Sequence, residues 1–179
     1  MRRAAASDSA RTRTSAVQQE IRQTRPFRSS AQEATVALLR TASVVNRALA
    51  RVIEPAGLSL AQYNALRIIR GAGEEGIATL AVRDRMIEQG TTITRLVGKL
   101  TQARLITRKR MRGDRREVRC YITPAGRRLL ERLDPAVDAA DEAVMRGLSV
   151  AEVTALIELL DRVRASNAER GAARHASAR

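Results

Sequence analysis

Tryptophan is missing from this chain, and phenylalanine and cysteine each occur once. With aromatics at 2% of 179 residues, no platform exists on which successive single-stranded bases would stack. The single thiol, Cys120, has no intrachain partner, which excludes a disulfide scaffold and fits a reducing compartment. The single histidine, His175, has no cysteine or second histidine at ligand spacing, so no metal is expected. Gly-rich phosphate loops and nucleophile elbows are missing too, so neither a cofactor nor catalytic chemistry is expected. No apolar run is long enough to span a membrane. The opening "MRRAAASDSARTRTSAVQQE" lacks the apolar centre of a secretory signal, so a cytoplasmic location is expected.

What is present is alanine, leucine and arginine. Apolar residues make up 44%, enough for a core, and the balance favours helices. The net charge of +14 is unevenly placed. Residues 1–30 hold seven Arg against two acids, and residues 95–119 hold ten Arg or Lys against two acids. Residues 120–179 balance at nine against nine. Charge concentrated this way points to a polyanionic partner.

Residues 1–30 are polar and read as a flexible basic arm. A helix with few charges follows, through Val36, Leu39, Val44, Ala48 and Val52, and ends at Pro55 and Gly57. Ser59 and Gln62 then form a capping box, with Leu58 poised to pack on Tyr63. Ile77–Thr79 suits a very short strand and Leu80–Ile87 a short helix stopped by Gly90. "TTITRLVGKLTQA" sets Ile93, Leu96, Val97 and Leu100 on one face, with Thr91 or Thr92 as cap. "RLITRKR" and "EVRCYIT" read as strands joined by a Gly-Asp turn. Thr123 caps the next helix with Pro124 at its first position, and Pro135 is expected to kink or split it. Ser149 and Glu152 cap a last amphipathic helix, and residues 166–179 read as a flexible tail.

The result is a mainly α chain with a small β wing: a winged helix-turn-helix over residues 58–123, and helices over 31–57 and 124–165. The B-DNA major groove admits a helix with an apolar back and a polar front. Thr92, Thr94 and Arg95 are the candidates for reading bases. The hairpin brings Arg108, Arg112, Arg115 and Arg116 toward the neighbouring backbone or minor groove, where arginine reads groove width and potential. Thr91 and Lys99 suit phosphates. Asp114 is either the carboxylate that orients Arg115 or Arg116, or simply a turn residue.

These motifs, in this order, resemble the MarR family of bacterial transcriptional regulators. Leu58, Ser59 and Gln62 match the family's Leu-Thr/Ser-x-x-Gln opening. Ile93, Thr94, Arg95 and Leu96 match its recognition helix. Asp114, Arg115 and Arg116 match its wing, and Ile122, Thr123 and Gly126 the turn into the next helix. The resemblance covers roughly residues 33–165. It implies a homodimer with interlocked terminal helices, two winged domains on a palindromic double-stranded site, and often repression relieved by a small phenolic or aromatic effector. Dimerisation then falls to Val36, Leu133, Val137, Val144, Leu156, Ile157, Leu160 and Val163, and Tyr63 lies beside the expected effector region, although packing on Leu58 explains it as well. A non-specific or architectural DNA binder is the alternative that the charge allows.

Two departures from the pattern stand out. Arg104 occupies a loop position where relatives carry glycine; a left-handed backbone there costs about 1 kcal/mol, which a phosphate contact can offset. Val82 and Arg83 replace a Leu-Ala pair in the helix before the recognition helix. Cys120, on a strand face with Val118 and Ile122, reads as core packing rather than a redox sensor. Asp84 and Glu88 read as a solvated face rather than an acid–base pair.

Overall fold

A computed structural model describes residues 15–88, 92–111 and 117–177. The chain divides into two compact units, Met1–Arg47 and Ala48–Arg179.

In the first unit a short helix, α1 (Ala16–Glu20), stands before α2 (Ser30–Ile53), whose residues from Ala48 on belong to the second unit. Ser15 caps α1 by accepting from the Gln18 N–H, and Val17 is buried. Glu20 pairs with Arg40 of α2 at 3.1 Å. The described part of the basic arm is therefore built rather than featureless: a serine cap and one apolar residue suffice to seat a single turn.

The second unit holds α3 (Leu60–Gly71), β1 (Ile77–Ala78), α4 (Thr79–Asp84), α5 (Ile93–Gln102), β2 (Ile106–Arg110), β3 (Val118–Ile122), α6 (Pro124–Met145) and α7 (Val150–Ser177). The strands form one antiparallel sheet in the order β1-β3-β2, with Ile77 opposite Cys120 and Ile106 opposite Ile122. The Ser59–Gln62 capping box starts α3, and Leu58 and Tyr63 are both buried beside it. Ile53, Leu66, Ile69, Val97, Leu100, Ile106 and Leu130 are almost wholly buried in one core with Cys120. Each such aliphatic side chain contributes about 1.5–3 kcal/mol through burial.

Two glycines are set by close approach. Gly76 has φ +63, and a Cβ there would overlap the Tyr121 ring and the Cys120 carbonyl. A Cβ on Gly126 would overlap the Leu105 carbonyl, so glycine is what lets the first turn of α6 lie against the turn that follows α5.

Several expectations need correcting. Pro135 neither splits nor ends α6, which runs unbroken from Pro124 to Met145. Pro135 and Glu131 are both exposed, so water can take the carbonyl that the missing N–H leaves unpaired. Leu133 and Val137 do not await a partner subunit; they are 8% and 3% exposed in the chain's own core. Helix α7 continues to Ser177, past the boundary where a tail was expected, because polar but helix-favouring Ala, Arg and Glu follow Ala165. The short helix before α5 spans Thr79–Asp84 rather than Leu80–Ile87, and Thr79 belongs to it rather than to β1.

Candidate nucleic-acid interface

Helix α5 is held from behind by Leu96, Val97 and Leu100, with Ile93 half-buried. Thr92, Thr94, Arg95 and Lys99 are exposed on its other side. Thr92 is the N-cap residue in extended conformation, yet its hydroxyl makes no capping bond, so it remains available to a ligand. Thr91, Arg112, Asp114, Arg115 and Arg116 lie outside the described residues.

The exposed side of α5 is flanked by two grooves. Thr92, Arg95 and Lys99 share one of about 310 Å³ with Ser59 and Gln62, from the N-terminal end of α3. Thr94 turns to the other, of about 530 Å³, with Leu80 of α4 and with Arg108, Glu117 and Val118 at the base of the wing. The three base-reading candidates thus divide between two flanks, and Arg108 joins Thr94. The sheet register explains Arg108: it stands opposite Cys120, on the same strand face as the core residue Ile106. From the sequence, Ser59 and Gln62 are a capping box and part of the family's opening motif, not groove residues. Their nearness to Arg95 and Lys99 depends on how α3 packs on α5, which periodicity along one helix does not reveal.

After Ile106, every described residue of β2 is exposed, so the wing leaves the core at once. Lys109 lies 5.3 Å from the centre of the Tyr121 ring. Arg119 donates to Glu117 at 2.9 Å and to the Glu75 carbonyl at 2.8 Å, tying β3 to the turn before β1. The Glu117 carboxylate raises the Arg119 pKa by accepting that hydrogen bond.

Arg104 has φ +57. Its N–H donates to Thr101 O at 3.0 Å and that of Leu105 to Leu100 O at 3.0 Å, the two bonds of a Schellman motif closing α5. The Arg104 side chain is exposed beyond it. In α4, Val82 is fully buried while Arg83 points outward and pairs with Asp84 at 2.9 Å, so the long side chain displaces nothing.

Cys120 is buried, and burial pushes its thiol pKa up, with the Thr79 hydroxyl 3.6 Å away partly opposing that shift. A thiol held protonated this way is a poor nucleophile. Tyr63 is 7% exposed in the core and lines none of the cavities described above, so its ring offers little face to an effector. Among the described residues no three His, Cys, Asp or Glu side chains converge, and no helix is long and apolar enough to cross a membrane.

A helix with an apolar back and a polar front, braced by two helices and followed by a basic hairpin, is a winged helix-turn-helix. Residues 58–126 match the model of a winged helix DNA-binding domain. A MarR transcription factor from Planctomyces limnophilus is 34% identical, with a TM-score of 0.60, over 76% of this chain and 98% of that one. BpsR of Bordetella bronchiseptica, whose DNA binding is regulated by 6-hydroxynicotinic acid, is 26% identical with a TM-score of 0.68, over 78% and 98%. A Thauera aromatica protein assigned as a transcriptional regulatory protein for the hcr operon is 31% identical over 113 residues, 63% of this chain and 67% of that one. The chain belongs to the MarR family. It is a transcription regulator with a winged helix DNA-binding domain, not an enzyme.

Proposed function

We propose that the protein works in the cytoplasm as a homodimer, binds a palindromic operator in double-stranded DNA, and represses transcription until a small effector releases it. The observation that carries this reading is the outward side of α5, where exposed Thr92, Thr94, Arg95 and Lys99 stand over a buried apolar back. Thr92 and Arg95 read bases on one flank, with Lys99 on a phosphate. Thr94 reads from the other flank, where Arg108 holds the adjoining phosphate. Arg112, Arg115 and Arg116 act on the neighbouring backbone or minor groove, Asp114 orienting Arg115 or Arg116, while Thr91 and Arg104 meet phosphates.

Dimerisation rests on apolar surface that one chain leaves uncovered. Ile157 and Val163 of α7 are 54% and 48% exposed, and Val36, Val144, Leu156 and Leu160 are only half-buried. A large exposed apolar stripe of this kind marks an interface. A cavity of about 460 Å³ supports the effector reading. It has Leu58, Leu105 and Leu129 as apolar walls and Arg128 and Arg132 at its edge, which suits a small aromatic anion.

Binding-site selection from random duplexes tests the proposal. A palindromic consensus supports it. The ten basic residues among positions 95–119 favour a second reading, an architectural binder; that protein would select no consensus.

A further inference from the structure

Helices α3 and α6 meet at a seam, and each lends side chains to the one apolar core, Leu66 and Ile69 from α3 and Leu130, Leu133 and Val137 from α6. Apolar contact is non-directional and lets packed helices slide past each other. One directional link crosses this seam. Arg70 of α3 donates through Nη1 to Asp134 Oδ2 at 2.6 Å and through Nη2 to Asp134 Oδ1 at 3.2 Å. It is the only ion pair between the two helices among the described residues, and its side chains are 25% and 34% exposed. A fork of two parallel bonds fixes angle as well as distance. Tyr63, buried two turns before Arg70, and Arg67, whose guanidinium lies 5.8 Å from the Tyr63 ring centre, extend the same cluster.

We propose that Arg70 and Asp134 are positioning residues that lock the angle between the DNA-reading unit and α6, and thereby set the spacing between operator half-sites that the dimer accepts. This rests on the dimeric operator reading above. Neither residue touches DNA in this account. Their effect appears only when both halves of a dimer must fit one duplex, where half-site separation is a geometric requirement.

The experiment uses the full chain and the selected operator, rebuilt with spacings one base pair shorter and longer, alongside a single half-site duplex. Wild type, Asp134→Asn, Arg70→Lys and the exchanged double variant Arg70→Asp/Asp134→Arg are compared, each first shown to be folded by circular dichroism. Asp134→Asn is expected to weaken binding at the preferred spacing by about three- to tenfold while the altered spacings lose less. Half-site affinity and salt dependence should stay as in wild type. Arg70→Lys, which keeps the charge but loses the fork, should fall between, and the exchanged pair should recover the preference. Should Asp134→Asn not fold, Arg70→Lys and the exchanged pair decide alone. Equal losses at every spacing, or an unchanged profile, overturn the positioning role. A wild type that binds DNA with no spacing preference overturns the operator reading itself.

Discussion

The Thr123 hydroxyl donates a 2.8 Å hydrogen bond to the carbonyl of Arg104. It also reaches the Leu105 carbonyl at 3.0 Å and accepts from the Gly126 N–H at 3.1 Å. One side chain therefore caps α6 and ties down the left-handed residue that closes α5. Thr123→Val keeps the shape and removes all of these bonds. It should destabilise the fold by about 1–3 kcal/mol in urea unfolding, and Thr123→Ser by much less.

Arg104 separates stability from binding. Arg104→Gly relieves the left-handed backbone and should raise unfolding free energy by up to about 1 kcal/mol. On the proposed phosphate role the same change also removes that contact, so DNA affinity should fall and its salt slope drop by about one. Affinity that rises together with stability would show that the side chain never meets DNA.

Arg95 and Lys99 share a groove but have different assigned roles. Arg95→Ala should relax preference at one base position, by roughly 1–3 kcal/mol. Lys99→Ala should weaken cognate and random duplexes alike. Titrations of both variants on both duplexes check this; equal effects of the two substitutions would contradict the assignment.

At Glu152 the hydrogen bonds from the Ser149 N–H and hydroxyl hold the carboxyl below its ordinary value of 4.5. A lowered folded-state pKa stabilises the charged form. The contribution is therefore complete above the ordinary value and is lost as pH falls through the lower folded value. Glu152→Gln should lower the melting temperature slightly at neutral pH and remove that part of the acid-side dependence. A pH series of thermal melts on both proteins measures it.

Much of the DNA-reading unit was legible in the sequence because its signals are local. The stripe Ile93, Leu96, Val97 and Leu100 and the caps Ser59, Thr123 and Ser149 are each decided within one or two turns. Gly126 was legible as a motif position, but its physical reason, the Leu105 carbonyl beneath it, joins residues from two elements. Leu133 and Val137 were misread for the same reason. An apolar stripe reveals that a face is covered without saying whether the chain's own core or a second subunit covers it. Arg108 was placed on phosphates, and its seat beside Thr94 needed the β2–β3 register. Wing residues 112–116 remain a proposal from sequence.

The central claim is that this unit reads sequence rather than charge alone. Its most direct test is the ratio of affinities for the selected palindromic duplex and a scrambled duplex of equal length, measured at one physiological salt concentration. The account predicts a ratio of about 10³ or more, as for specific regulators. A ratio near one, with both affinities falling steeply with salt, would contradict it.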